Sequence, residues 1–147
     1  MPTVRTASLD DAPALASLLA ELGYPSEIEH VRARLARVLR ADGESGTDAV
    51  FIATGADLGG ALGFLSVHRF AALHDDADVA LITALVVAER ARGLGVGRRL
   101  VDHAVDTARR WGCGRLIVTT HVRRAGAHAF YERIGFELTG RRYVRGL

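Results

Sequence analysis

The chain is organised around the stretch Leu85-Val86-Val87-Ala88-Glu89-Arg90-Ala91-Arg92-Gly93-Leu94-Gly95-Val96-Gly97, where an apolar run gives way to three closely spaced glycines. The apolar run begins at Val79, and a nearly continuous run of this kind is typical of a central strand covered on both faces. After the glycines, apolar residues recur at helical spacing. They are Val96, Leu100, Val101, Ala104, Ala108 and Trp111. The stretch therefore predicts a strand, a turn and a long helix that ends before Gly112.

The glycine turn is a candidate binding site for phosphate oxygens. A helix start presents unpaired N–H groups and the positive end of the helix dipole. Gly93, Gly95 and Gly97 let a ligand approach the backbone, and Arg92 adds charge. The same string also occurs in plain flexible turns. Two other phosphate motifs fit poorly, because no Gly-Lys-Ser/Thr follows and the glycines come after several strands rather than after the first.

The rest of the chain alternates between strand-like and helix-like periods, and the predicted order is β-α-α-β-β-β-α-β-α-β. The predicted elements before the central stretch are a strand at Thr3–Ala7, a helix ending at Gly23, a helix starting at the Ser26 capping box, a loop at 41–47, and a hairpin of Ala49–Thr54 and Ala61–Arg69. The second helix is predicted to bury Ile28, Val31, Leu35, Val38 and Leu39. After the long helix, we predict a buried strand at 115–120, a short helix at 125–134 and a last strand at 136–144.

The composition indicates one domain covering residues 1–147, since 49% hydrophobic residues suffice for one core. No apolar run reaches the roughly 20 residues that span a bilayer, so we expect a soluble cytoplasmic protein. Cys113 is the single cysteine and is predicted to be a small buried hydrophobe.

All 19 basic residues are arginine, which excludes lysine Schiff-base chemistry. Four of them, Arg90, Arg92, Arg98 and Arg99, crowd the glycine turn and favour a polyanionic ligand.

Two segments resemble the motifs of one enzyme superfamily. Residues Leu85–Leu100 look like motif A of the GNAT N-acetyltransferases, with its Arg/Gln-x-x-Gly-x-Gly/Ala core, and His128–Phe136 is similar to motif B, with its Tyr-x-x-x-Gly-Phe ending. The resemblance implies an α/β fold with a mixed, mostly antiparallel sheet, about four flanking helices and a V-shaped opening between the strands of Leu85 and Ile117. It also implies acetyl-CoA as cosubstrate. The implied cofactor-binding residues are Leu85, Val86, Val87, Arg92, Gly93, Leu94, Gly95, Val96, Gly97, Arg98, Ala127, Phe130 and Tyr131.

The same resemblance implies a direct attack of an amine on the thioester. The Val87 N–H, freed by a strand bulge, is expected to stabilise the oxyanion, and Tyr131 is expected to protonate the leaving thiolate. Many relatives carry a glutamate just before the Leu85 position, where this chain has Leu81, Ile82, Thr83 and Ala84. The candidate bases are His121, ranked first, then Asp78, His74 and His68, with deprotonation by solvent as an alternative. No metal site is expected, because the histidines lack ligand spacing.

The acceptor remains open between three hypotheses. Residues 119–131 and 141–147 are similar to small bacterial members such as the aminoalkylphosphonate N-acetyltransferases, and Arg124 stands where many members have Asn. This favours a small primary amine that also carries a phosphonate or carboxylate. The alternatives are an acyl-CoA-binding regulatory module without turnover, and an acetyltransferase for protein N-termini or charged tRNA. No nucleic-acid-binding aromatic motif is visible, and a homodimer is left open.

Overall fold

The fold is described from a computed structural model, and the description covers residues 2–39, 46–120 and 125–147. Five strands and four α-helices lie in these ranges. In chain order they are β1 (Thr3–Thr6), α1 (Ala12–Leu22), α2 (Ile28–Leu39), β2 (Asp48–Thr54), β3 (Ala61–Phe70), β4 (Val79–Val87), α3 (Val96–Arg110), β5 (Arg115–Val118) and α4 (Ala125–Arg133). Short 3₁₀ turns at Leu9–Asp11 and Glu89–Ala91 precede α1 and α3. Residues 1–117 and 118–147 form two compact units.

The strands form one sheet in the order β1-β2-β3-β4-β5. The first three neighbouring pairs are antiparallel. The last pair is parallel, because the Gly114 N–H donates to the Asp78 carbonyl at 2.8 Å, so β4 and β5 begin side by side. The predicted mixed, mostly antiparallel sheet with four helices is therefore confirmed. The predicted hairpin is the β2–β3 pair.

The first helix is held at both ends by local interactions. Asp11 accepts a hydrogen bond from the Ser8 N–H at 2.8 Å and a bidentate ion pair from Arg5, with both N–O distances 2.8 Å. The Arg5 guanidinium lowers the pKa of the Asp11 carboxyl, and the Ser8 N–H acts in the same direction. Gly23 ends α1 in the left-handed region at φ 102°, which glycine adopts without steric cost. The predicted stop at Gly23 is confirmed.

The core lies between the sheet and the apolar stripe of α3. Val96, Leu100, Val101, Ala104 and Ala108 are buried, as their spacing predicts. The bulkiest fully buried side chains are Ile52, Leu62, Leu65, Leu100, Val67, Val79 and Val96. α3 is thereby fixed against β3 and β4, which sets the position of the glycine turn at its start.

Gly63 permits a close approach of β3 to β4 and α3. A Cβ on Gly63 would lie 2.6 Å from the Val86 carbonyl oxygen and 3.3 Å from both Leu100 Cδ1 and the Val87 Cα. Real Cβ atoms do not approach a backbone oxygen so closely, so a side chain here requires the strands to move apart. A glycine inside a strand pattern is the sequence signal for such an approach.

Four local predictions are wrong. Ile28 was expected to be buried in α2, but it is 43% exposed because the face that contacts the sheet contains Val31 and Leu35. The strand after α3 ends at Val118, with Arg115 exposed and its other residues half-buried.

The second half of β4 is only partly covered, since Thr83 is exposed and Leu85 and Val87 are half-buried. Finally, residues 136–147 contain no strand: no neighbouring strand bonds to them, and Leu138 is 88% exposed. The predicted 41–47 loop lies mostly outside the described residues.

The close contact at Gly63 predicts a loss of stability in Gly63→Ala. The new methyl group cannot be accommodated beside the Val86 carbonyl, so the free energy of unfolding should fall by about 1–3 kcal/mol, as in other overpacked cores. Urea unfolding followed by circular dichroism measures this value. Gly140→Ala is the matched control, because nothing lies within 4 Å of its added Cβ. Equal stability of the two variants would contradict the assignment of Gly63 as a packing glycine.

Candidate functional site

The second half of β4 presents main-chain groups on the side away from β3. The Ala88 N–H donates to the Leu62 carbonyl at 2.8 Å, and Gly63 lies opposite Val87 in the register. Hydrogen-bonded and non-hydrogen-bonded pairs alternate along an antiparallel ladder. Val86 therefore bonds to β3, whereas the N–H and C=O groups of Leu85 and Val87 point to the opposite side.

β5 is too short to use these groups. It contains four residues and begins level with the start of β4, which contains nine. At about 3.3 Å per residue, β5 covers about 13 Å of a strand about 30 Å long. Leu85 and Val87 lie beyond the last residue of β5. The main-chain edge at these two residues is thus the part of the sheet where an extended ligand could add as a strand.

A bulge interrupts β4 before this edge. Ser66 lies opposite Ala84 and Val67 opposite Ile82, so Thr83 is the extra residue. The Thr83 hydroxyl hydrogen-bonds to Ser66, including its carbonyl oxygen at 3.3 Å. A bulge was predicted in this strand as the feature that frees the Val87 N–H; the strand has a bulge, but its extra residue lies four residues before Val87. The outward direction of the Val87 N–H follows from the ladder alternation instead.

The glycine turn connects the end of β4 to α3. Gly93 and Gly95 both have φ 78°, the left-handed region, and no atom lies within 4 Å of a Cβ added to either. The Arg99 N–H donates to the Gly95 carbonyl at 3.1 Å, which is the first bond of the helix. The N–H groups of Val96, Gly97 and Arg98 therefore precede the helical ladder and have no acceptor within it. An anion fits here because the open space lies over glycines at the positive end of a helix dipole.

The four arginines of this region have different surroundings. Arg92 and Arg98 are exposed, and Arg99 is half-buried. The Arg90 side chain instead hydrogen-bonds to three carbonyl oxygens of the β2–β3 connection. The positive charge predicted for the turn is present, but Arg90 is engaged with the protein itself.

The residues of motif B lie in the second unit. Tyr131 is half-buried in α4, and its ring makes edge contacts with Phe130 at 5.2 Å and Phe136 at 5.5 Å. The Phe136 N–H donates to the Tyr131 carbonyl at 2.9 Å, and Gly135 turns the chain at φ 101°. Ala127 is half-buried on the same helix. The Tyr-x-x-x-Gly-Phe pattern is thus the end of a helix stabilised by an aromatic cluster.

Comparison with protein-family models decides the family, because the model of the "Acetyltransferase (GNAT) family" matches residues 14–136. The chain belongs to the GNAT family. The match includes β4, the glycine turn, α3 and Tyr131, so both motifs that carried the resemblance lie within it.

Similar proteins include two acetyltransferases and one protein described as a regulator. The streptothricin acetyltransferase of Streptomyces lavendulae is 39% identical over 101 residues, which are 68% of this chain and 50% of that protein. The aminoalkylphosphonate N-acetyltransferase of Salmonella typhimurium is 32% identical over 89 residues, 60% of this chain and 58% of that protein. The chain thus spans about half the length of these relatives. A transcriptional regulator from Bacillus halodurans has the same fold, with TM-score 0.86, 23% identity and complete coverage of both chains.

Three candidate bases of this GNAT chain lie at the other end of β4. His68 is opposite Leu81, four residues before Leu85, which corresponds to about 13 Å along the strand. His68 also contacts Asp48 at 3.0 Å. Asp78 precedes β4, and His74 is 79% exposed beside Asp75. The structure does not bring these three side chains to the edge at Leu85 and Val87. His121 and Arg124 lie outside the described residues.

In residues 2–39, 46–120 and 125–147, no three His, Cys, Asp or Glu side chains converge as metal ligands would. None of the helices in these ranges is both long and apolar enough to cross a membrane.

Cys113 has the surroundings of an unreactive thiol. Its partial burial raises the thiol pKa, and the negative charge of Asp78 acts in the same direction, while Arg69 opposes them. A raised pKa leaves less thiolate at neutral pH, so Cys113 is a poor nucleophile. The sequence predicted a small buried hydrophobe here, but Cys113 is only half-buried.

The raised pKa predicts slow alkylation of Cys113. Because the thiolate is the reactive form, the iodoacetamide rate in the folded protein should rise with pH along a curve displaced to higher pH than in the urea-unfolded chain. The chain has one cysteine, so mass spectrometry reads this rate directly. Asp78→Asn removes one cause of the shift and should move the curve part of the way back. Identical curves for the folded and unfolded protein would contradict the assignment.

Proposed function

We propose that this GNAT protein transfers the acetyl group of acetyl-CoA to a primary amine of a small molecule, by direct attack of the amine on the thioester. One observation carries the proposal: the main-chain edge at Leu85 and Val87 faces away from β3, lies beyond the end of β5, and is followed along the chain by an open glycine turn at the start of α3. The main-chain groups of the edge would hydrogen-bond to the amides of an extended pantetheine, and the N–H groups at the turn would bind the pyrophosphate.

The glycine turn has the open space, the N–H donors and the positive charge that binding of the coenzyme A pyrophosphate needs. The space over Gly93 and Gly95 is open, and both glycines are held at a φ that other residues adopt only with strain. Main-chain N–H groups of residues 96–98 would bind phosphate oxygens, and the exposed Arg92 and Arg98 would add charge. The remaining proposed contacts are those of Leu94 in the turn and of Ala127, Phe130 and Tyr131 in α4.

The proposed mechanism uses one main-chain donor and one side-chain acid. The Val87 N–H, directed away from β3, would stabilise the oxyanion of the tetrahedral intermediate. The Leu85 N–H points the same way and could share this role. The Tyr131 hydroxyl would protonate the departing thiolate, since its ordinary pKa of about 10 suits that task. His121 is the proposed base, with solvent as the alternative, because the other candidates lie at the other end of β4 from Leu85 and Val87.

The proposed acceptor is a small amine that also carries an anionic group. The support is the similarity to a protein named for aminoalkylphosphonates and the arginines at 123, 124, 141, 142 and 145. An arginine guanidinium recognises a phosphonate or carboxylate through two parallel hydrogen bonds. A second candidate function is an acyl-CoA-binding regulatory module. It is favoured by the lack of a carboxylate at residues 81–84, and it would keep the edge and the turn without turnover.

A panel of amines separates these functions. Thiol release from acetyl-CoA should be fastest with a small aminoalkylphosphonate or amino acid and slower with a neutral amine of the same length, because only the anionic acceptors can pair with arginine. The assay follows free coenzyme A, and calorimetry measures acetyl-CoA binding. Tight binding without turnover on any acceptor would favour the regulatory module. Turnover only with protein N-termini or charged tRNA, weakening as salt rises, would favour a macromolecular acceptor.

Two substitutions should affect different kinetic constants. Tyr131→Phe removes the proposed acid, so kcat should fall by about 10²- to 10⁴-fold, while the affinity for acetyl-CoA stays near that of the wild type.

Gly95→Val places a β-branched residue at a left-handed position of the turn, so the KM for acetyl-CoA should rise with a smaller change in kcat. Steady-state kinetics with the best acceptor measures both. An unchanged kcat in Tyr131→Phe would remove Tyr131 from the mechanism, and an unchanged KM in Gly95→Val would remove the turn from the binding site.

A further inference from the structure

Arg90 lies two residues before Arg92 and three before the first glycine of the turn, yet its guanidinium is directed to the β2–β3 connection. Its Nη2 donates to the Ala61 carbonyl at 2.7 Å and the Gly59 carbonyl at 2.9 Å, and its Nε donates to the Leu58 carbonyl at 3.3 Å. The planar guanidinium carries five donors in a fixed arrangement, and here it spans three acceptors. The position of Arg90 in the sequence instead predicted that it would face a polyanion together with the other arginines near the turn.

The connection that Arg90 binds has an unusual backbone. Gly59 and Gly60 have φ 65° and 67°, both in the left-handed region. Left-handed residues turn the chain sharply. The carbonyls of residues 58, 59 and 61 all reach the one guanidinium, so the hairpin turn and the Arg90 side chain form a single unit.

The segment that bears Arg90 is attached at two other points. The Ala88 N–H donates to the Leu62 carbonyl of β3 at 2.8 Å, and the Glu89 N–H donates to Glu21 Oε2 of α1 at 3.0 Å. After Arg92 the chain passes to Gly93 and Gly95, which have no neighbour within 4 Å of an added Cβ. The glycine turn thus lies between two fixed points, α3 on one side and residues 88–90 on the other, and of its residues Leu94 lines a cavity with Leu58 and Leu62.

We propose that Arg90 is a positioning residue for the donor-binding site: it holds the glycine turn in its binding geometry by tying residues 88–92 to the β2–β3 connection, and it does not contact the phosphates. The inference rests on the proposed function, since it takes the turn to bind the pyrophosphate of acetyl-CoA. Its physical basis is entropic. A turn rich in glycine loses much conformational freedom when it is ordered by a ligand, and this cost is smaller if the turn is already ordered.

The test compares Arg90→Ala, Arg90→Lys and the control Arg109→Ala. Arg109 is an exposed arginine in the last turn of α3, far from the glycines in sequence. Arg90→Lys keeps the charge but replaces the planar fork by a compact ammonium. Both Arg90 variants should raise the acetyl-CoA KM about three- to tenfold, with kcat nearly unchanged. A change of this size is expected from the loss of the hydrogen bonds made by one charged group. Arg109→Ala should match the wild type.

A second measurement reports on the turn without any ligand. Amide hydrogen exchange, read by mass spectrometry, should be faster in residues 89–98 of both Arg90 variants, while exchange in the strands and the midpoint of urea unfolding stay unchanged. A general loss of stability would instead speed exchange throughout the sheet. Arg109→Ala controls for the removal of an arginine from the surface.

Each outcome has a definite consequence. Normal KM in Arg90→Lys with raised KM in Arg90→Ala means that charge alone acts, which overturns the positioning role. Unchanged exchange at residues 89–98, or faster exchange everywhere, overturns it as well. If wild-type protein does not bind acetyl-CoA, the proposed function fails, and the exchange measurement still decides whether Arg90 orders the turn.

Discussion

The arrangement of the site depends on how β4 divides its hydrogen bonds between its two sides. Alternate residues of an antiparallel strand bond to the same neighbour, so Val86 is committed to β3 while Leu85 and Val87 face the other side. β5 starts level with β4 but ends at Val118. The main-chain groups of Leu85 and Val87 therefore lie beyond the end of β5, on the side of β4 away from β3. A strand edge that no other strand covers normally invites aggregation, and in the described residues this edge is followed by the glycine turn that is proposed to bind an anion.

The packing beneath this edge keeps it in place. Gly63 allows β3 to lie against β4 closely enough for Leu100 to reach both strands, and Leu100 belongs to the buried stripe of α3. This packing fixes the distance between the start of α3 and Val87. The edge and the turn therefore keep a constant position relative to each other, because the same helix and strand carry both. Arg90 extends this support to the hairpin connection.

Much of the fold follows from local sequence patterns, and the failures have physical causes. The period of α3, the stop at Gly23 and the β2–β3 hairpin were predicted because each depends on a few neighbouring residues. The 136–144 strand was not found, since a strand also needs a partner and alternating residues alone do not provide one. The exposure of Ile28 depends on which face of α2 meets the sheet, and that is decided by residues far away in the chain.

The proposed donor-binding residues could be named from the sequence, whereas the groups that support them could not. Gly93, Gly95 and the strand before them form a contiguous motif with a known physical purpose. The role of Arg90 depends on carbonyls about thirty residues earlier, and no local pattern reveals such a contact. The base has no fixed sequence spacing from the strand, and three of its four named candidates, which belong to β3 and the β3–β4 connection, lie at the other end of β4. The role of His121 stays a prediction.

The edge at Leu85 and Val87 consists of backbone atoms, and so does the open space over the two glycines. Backbone groups are the same whichever side chains surround them, so many substitutions at half-buried positions such as Leu85 would leave the pattern of donors and acceptors unaltered. Recognition of a ligand through backbone groups therefore tolerates substitutions of the surrounding side chains. Under the proposed function, a chain built in this way can accumulate changes around the acceptor while its donor-binding half stays constant, which makes it a suitable starting point for laboratory selection of new amine preferences.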